Sequence, residues 1–456
     1  MTDRHTERLG TVPVGRLLRE LSLPAILGML VHATYNVVDG IFIGRGVGSD
    51  ALAGVTVAFP VQMMSFAIVV LVATGGSALF SIYLGARREE DALRCLGNSY
   101  LSIVVLCLSF AAVVLLFRDE ILRAFGGGPT ILSYASTYIT IILPFGVFMG
   151  FQVLGENFTR AEGNARKAME SITLSSIVNV SLDWLFIFPL GWGVAGAAWA
   201  TVIAQLVGSA YLANYVFRHS RRLRISLSHL RPDFGVLRRI YAIGFSAFSR
   251  QVTFSVQSLF LNNSVVAYGG ESALAILGIL MRIFMFIVLP VFGILQGMRP
   301  IMSYNYGACL YNRARQSLKY GILGATATLT VGFLLVQLLP LTIMGIFTTD
   351  PVLIEQGARV LRITTIVLPI ISVQIVGAAS FQAIGKPGYA LVFSVVRQVL
   401  LFIPLLLVLP LFLGLDGIWL TYPVSDVLAM VATGIFIKRV WGRLPHTDGA
   451  PGEEGL

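Results

Sequence analysis

Two aspartates inside apolar stretches define the chemistry open to this chain: Asp39 in the run 17–42 and Asp183 in the run 168–190. Stepping back from Asp39 at helical spacing meets Asn36, Tyr35 and His32, a polar stripe on one helix face. The second run carries Thr173, Ser176, Asn179 and Asp183, and Asn179 and Asp183, four apart, are neighbours on that face. Beyond the tight connection PLGWGVAG, Thr201 reaches about the depth of Asp183. A charged side chain at a bilayer centre costs at least about 2.5–3.5 kcal/mol, so each of these groups needs a reason. Two carboxylates facing one another in a low-dielectric bundle cannot easily both be ionised. Such a pair can take up a proton on one side and release it on the other. It can equally hold a small hard cation, with Asn and Thr oxygens completing the shell. Asp39, Asp183, Asn179, Thr201, Asn36 and Tyr35 are the candidate cation-coupling residues, against the alternative of a structural hydrogen bond. His32 reads as a packed histidine.

The elements that must position them are membrane helices. Of 456 residues 56% are apolar and 12% charged, where soluble domains carry about 25% charged residues. Hydropathy places twelve spans, near 17–42, 51–83, 96–117, 131–155, 168–190, 194–217, 237–266, 274–303, 317–345, 358–383, 389–412 and 417–437. Of the 33 Lys and Arg residues, 25 fall on one side of this layout, seven of them in the segment 218–239. Five (Arg45, Arg118, Arg123, Arg359 and Arg362) fall on the other, and three lie inside spans. Both termini are then cytoplasmic, as an even span count also requires. The net charge of +10 is thus a topology signal and not a mark of nucleic-acid binding. The N-terminus has no cleavable-signal pattern, and residues 1–14 and 444–456 read as disordered polar tails.

The halves resemble each other. "SDALAGVTVAFP" at 49–60 aligns with "ESALAILGILMR" at 271–282, and "YLGARREEDALR" at 83–94 with "NYGACLYNRARQ" at 305–316, both at an offset of 222. Pro144 matches Pro369, and "GVAGAAWAT" at 193–201 matches "GLDGIWLTY" at 414–422. Six spans per copy give parallel repeats, which place a substrate path between two bundles. The expected organisation is a cytoplasmic tail (1–14), an N-lobe (15–217), a cytoplasmic linker (218–236), a C-lobe (237–440) and a C-terminal tail (441–456). The C-lobe lacks the acidic pair: Leu261 stands where the repeat would place Asp39. It has Arg250, Arg282 and Arg397 within spans, one buried acid, Asp426, and polar groups at Thr253, Gln257 and Gln374. At least one arginine is expected to pair with Asp426. Arg250, Gln257, Arg282 and Gln374 are the candidate substrate-cavity residues.

Other signals carry little. "GWGVAG" at 191–196 fits GxGxxG but joins two spans and follows no strand, so it is no dinucleotide site. "GGGP" at 126–129 reads as an external turn. Three cysteines and five histidines offer neither a disulfide framework nor a transition-metal cluster. External loops are too short and too poor in His, Asp and Glu for an enzyme's active site.

At these residues the chain resembles the multidrug and toxic compound extrusion (MATE) family, within the superfamily that also holds polysaccharide and lipid flippases. The marks are "LPAILGMLVHATYNVVDGIFIGRGVGSDALAGV" at 23–55, "ATGGSALFSIYLGA" at 73–86, "SSIVNVSLDWLFIF" at 175–188 and "GVAGAAWAT" at 193–201. The resemblance implies an all-α membrane protein of twelve helices in two six-helix bundles. It implies efflux of small amphipathic, often cationic compounds by alternating access, driven by H⁺ or Na⁺ and needing no other cofactor. Its cation site maps onto Asp39, Asn179, Asp183 and Thr201, the candidate Na⁺ ligands, with Asn36 and Tyr35 beside them. Some members carry further acids in the seventh and tenth spans, where this chain has Arg250, Gln251 and Gln374. An arginine-rich C-lobe keeps open an alternative, a flippase or exporter of lipid-linked or anionic substrates. The expected setting is a bacterial cytoplasmic membrane, with the lipid bilayer and a small-molecule substrate as partners and the chain working as a monomer.

Overall fold

A computed structural model of the chain describes residues 3–125, 128–219, 226–445 and 448, and these are helical throughout, without strands. Arg221, Arg222 and Arg224 of the basic linker, two glycines of the 126–129 turn and the tail from 449 lie outside the described residues. Among the described residues nine helices are long and apolar enough to cross a membrane, or ten if one bent pair counts as a single span.

The first compact unit comprises the residues through Thr11 together with Leu23–Gly244. It contains α1 (Asp3–Thr11), most of α2 (Val14–Gly46), α3 (Ser49–Gly85), α4 (Glu89–Leu116), α5 (Arg118–Ala124), α6 (Pro129–Ile142), α7 (Gly146–Ala161), α8 (Ala165–Ile187) and α9 (Gly193–His219). The N-terminal arm, expected to be disordered, instead forms α1 over Asp3–Thr11 and is packed against the first unit. Thr6 and Leu9 are fully buried, and the Thr6 hydroxyl donates to the Glu162 carbonyl at 3.2 Å. Thr6 and Leu9, three residues apart, share one helix face and find a surface there, which local polarity alone does not reveal.

The expected span 131–155 is broken. α6 and α7 meet at a 55° bend at 143–145, around Pro144. Proline removes a helix donor and clashes with the preceding turn. The expected span 358–383 is interrupted in the same way, by a 3₁₀ turn at Leu368–Ile370 that contains Pro369. Pro24 and Pro60, by contrast, sit inside continuous helices.

The second unit comprises Val12–Ser22 and the residues from Phe245 onward. α10 (Phe234–Gly307) is 74 residues long and merges the expected spans 237–266 and 274–303. At 1.5 Å per residue it would be about 110 Å long if straight, far more than a bilayer. The non-helical backbone of Gly270 (φ 64°) breaks it between the two. There follow α11 (Tyr311–Leu338), α12 (Pro340–Gly345), α13 (Pro351–Thr365), α14 (Ile371–Ala383), α15 (Pro387–Val395), α16 (Ile403–Leu413) and α17 (Leu415–Trp441). Between α15 and α16 the chain runs as a π-helix over Val396–Phe402, a wound segment that helices frequently show at functional sites.

Two glycines permit close backbone approaches near where the chain passes from one unit to the other. A Cβ added at Gly244 would lie 1.7 Å from the Leu71 carbonyl oxygen, so the start of α10 lies backbone-to-backbone on α3 within the first unit. A Cβ at Gly297 would lie 2.4 Å from the Ser22 hydroxyl, which ties the first turns of α2 to the second. Small residues permit such approaches in membranes, where apolar side chains gain little from meeting one another.

Left-handed backbone positions recur at the repeat offset. Gly48 and Gly270, Arg87 and Cys309, and Gly163 and Gly385 are each 222 apart, and Gly193 and Gly414 are 221 apart. Only Gly191 lacks a counterpart among the described positions.

Candidate functional site

The acidic pair lies within the first unit, on α2 and α8, with α9 behind it. Asp183 is fully buried, Asn179 nearly so, and Asp39 partly so. The carboxylates of Asp39 and Asp183 are near enough to act on each other electrostatically. The Asn179 amide donates to the Thr201 hydroxyl at 3.4 Å, and that hydroxyl donates to the Ala197 carbonyl at 3.0 Å. Thr201 thus spends its proton on its own helix and offers only lone pairs. The Asn179 carbonyl oxygen is left without a donor among the described residues. Asp39 Oδ1, both oxygens of Asp183, Asn179 Oδ1 and the Ser176 hydroxyl are buried with no hydrogen-bond partner among the described residues.

Nearly all of these atoms are acceptors, and buried acceptors without donors are costly. A proton shared between the carboxylates would supply the missing donor, and a small hard cation would be met by the same oxygens. Tyr35 lies near both acids, as does Tyr138, whose hydroxyl accepts from Gln62 at 3.3 Å. Asn36 is not brought into the cluster: it is exposed, and its amide donates to the His32 carbonyl one turn back at 2.8 Å. The His32 ring stands edge-on to Tyr35, centroids 4.9 Å apart.

A family model described as MatE matches residues 24–185 and again residues 247–408. The chain belongs to the MatE family. The double match falls on the two sequence repeats. The chain is 27% identical over 418 residues to the multidrug export protein MepA of Staphylococcus haemolyticus (strain JCSC1435), covering 91% of this chain and 92% of that one. Among solved structures it resembles an outward-facing multidrug resistance MATE family transporter of the MOP superfamily, with a TM-score of 0.90, 25% identity and coverage of 96% and 98%. It resembles equally a MOP superfamily transporter from Pyrococcus furiosus whose binding pocket is described as reversed in polarity, suggesting a different function (TM-score 0.90, 25% identity, coverage 96% and 98%).

In the second unit of this MatE chain the structure separates the three arginines. Arg397, on the π-helical segment, donates to Asp426 at 2.8 Å, and the acid is almost wholly buried. Beside it the Thr253 hydroxyl donates to Gln398. Arg250 is partly buried; its carbonyl accepts from the Thr253 hydroxyl at 3.1 Å, and its guanidinium makes no ion pair or hydrogen bond with a described residue. Arg282 is exposed. Gln257 is buried, as is Gln374, whose Oε1 has no donor.

One polar network escaped the sequence reading. Glu156 and Arg160 on α7 are buried and 3.6 Å apart. Gln152 donates to Glu156 at 3.2 Å and to Ser175 on α8 at 2.9 Å. Ending the fourth span at 155 left both charges in a loop. The signal present was their spacing of four residues with opposite signs.

Proposed function

We propose that this MatE chain is a secondary active exporter of small amphipathic, chiefly cationic compounds, in exchange for H⁺ or Na⁺. Twelve crossings in two six-helix bundles, with both termini inside, would set it in a bacterial cytoplasmic membrane. The observation that carries the reading is the approach of Asp39 to Asp183, whose helix α8 also carries Asn179 and Ser176 with buried oxygens that lack donors among the described residues. Such a cluster binds a cation or proton in one state of the protein and releases it in another. A bound ion drives a conformational change only through its differential affinity for the two states. The strong dependence of this cluster on how α2 and α8 pack provides that difference. The carboxylates bind the coupling ion, Asn179 and Thr201 orient its oxygen cage, and Tyr35 shields it.

Accumulation of a fluorescent lipophilic cation in bacteria stripped of their own major pumps tests the reading. Cells making the wild type should hold less dye than cells making Asp39→Asn or Asp183→Asn at matched protein levels. Dye export unaffected in Asp39→Asn would sink the mechanism.

Arg250 favours a second reading, export or flipping of anionic or lipid-linked substrates, because a guanidinium with no side-chain partner among the described residues, set on a membrane helix, is a ready anion contact. In proteoliposomes, uptake of an amphipathic anion that is lost in Arg250→Gln, with the lipophilic cation untransported, would favour it over the first.

A further inference from the structure

At one end of the second unit a cavity of about 360 Å³ opens between the turn that precedes α15 and the last turn of α17. This is within the roughly 300–1,000 Å³ of small-molecule sites. Its walls carry three cations, Lys386, Arg439 and Arg443, with Tyr389 and Phe436 between them. Among the described residues none of the three makes an ion pair or a side-chain hydrogen bond. Three unneutralised cations around one cavity repel each other unless an anion sits among them.

The walls are held in place by other contacts. Lys386 follows the left-handed Gly385 (φ 70°), and its amide donates to the Phe381 carbonyl at 2.9 Å, which fixes the turn. Arg315 on α11 donates to the carbonyls of Trp441 (3.2 Å) and Leu444 (2.6 Å), and so pins the segment that bears Arg443. Beneath the cations the rings of Phe381, Tyr389, Phe393 and Phe436 form a continuous aromatic cluster, with centroids 5.3–6.1 Å apart. Of the three cations, Lys386 has no basic counterpart at the repeat offset. At the matching turn of the first unit Gly163 is followed by Asn164, whose amide is engaged by the Tyr215 hydroxyl at 3.1 Å.

We infer that this cavity binds a phosphate-bearing anion, the phosphate caught by Lys386, Arg439 and Arg443 and the organic part laid on the aromatic cluster. The positive charge asymmetry of the sequence puts this end of the unit at the cytoplasmic leaflet, where anionic lipid headgroups are abundant. An anionic phospholipid is therefore the source its position favours, and a soluble phosphate ester is the other carrier of the same chemistry.

Native mass spectrometry of the full chain in detergent tests this, with dioleoylphosphatidylglycerol, dioleoylphosphatidylcholine and inorganic phosphate as probes. The wild type should retain phosphatidylglycerol in preference to phosphatidylcholine. Arg439→Gln/Arg443→Gln should lower that retention about tenfold or more, as two lost cations near a phosphate imply. Arg19→Gln/Arg238→Gln, which removes two exposed cations elsewhere, should leave it unchanged. Displacement of the lipid by millimolar inorganic phosphate would assign the site to soluble phosphates, and resistance to it would assign the site to lipid. Lys386→Gln, on the turn, serves if the double variant does not fold. Equal retention of both lipids, equal retention by pocket variant and wild type, or an equal loss in the control pair would overturn the inference.

Discussion

Arg87 and Cys309, 222 residues apart and unlike in chemistry, hold the same left-handed backbone conformation, φ 59° and 57°. The turns around them are bonded alike: the Arg88 amide donates to the Tyr83 carbonyl at 2.9 Å, and the Leu310 amide to Asn305 at 2.8 Å. Nearby, the Ser81 hydroxyl donates to the Ala161 carbonyl at 3.3 Å and the Ser303 hydroxyl to Ala383 at 2.7 Å, again at an offset of 222 in both donor and acceptor. The repeat is therefore a repeat of backbone geometry, kept where the side chains have diverged.

A side chain in the left-handed region costs roughly 1–2 kcal/mol relative to glycine. Arg87 is exposed and makes no side-chain bond with a described residue. Arg87→Gly should therefore stabilise the protein by about 1 kcal/mol, read as a higher midpoint of thermal unfolding in detergent. A lowered midpoint would mean that the side chain contributes more than its backbone strain costs.

Asn keeps the volume of Asp and brings a donor to a cluster of acceptors. Asp183→Asn should therefore fold as well as the wild type, or better, while dye export becomes insensitive to imposed H⁺ and Na⁺ gradients. Proteoliposome flux and a melting curve on the same preparation separate the two effects. A variant that melts lower and still couples would contradict the placement of the ion between the acids.

Breaking one side of a buried ion pair leaves a charge without a partner, at a cost of about 3–5 kcal/mol. Asp426→Asn and Arg397→Gln should each destabilise the second unit by that order, and the double variant by less than the sum. A double-mutant cycle on unfolding midpoints measures this coupling. Glu156→Gln should behave likewise through Arg160.

Gly244→Ala would drive a methyl group into the Leu71 carbonyl, with backbone on both sides and nothing free to yield. Overpacking of this kind costs about 3 kcal/mol or more. Size-exclusion profiles of the fluorescently tagged chain should show little monodisperse protein. Gly434→Ala, where an added Cβ meets nothing within 4 Å, is the matched control.

Periodicity and hydropathy alone determined that this chain is a bundle of membrane helices, that it is doubled, and that Asp39 and Asp183 lie on polar faces. A buried charge in an apolar run is conspicuous because lipid offers it no water. Which groups meet was decided by packing. The sequence shows three membrane arginines and one acid, Asp426, but only the π-wound turn at Val396–Phe402 puts Arg397 on it and leaves Arg250 alone. It shows many prolines, yet Pro144 and Pro369 interrupt helices while Pro24 and Pro60 do not, because neighbouring helices decide whether the freed backbone groups are satisfied. The asymmetry between Asn36, bonded to its own helix, and Asn179, bonded across to Thr201, lies in side-chain rotamers, which no spacing rule encodes.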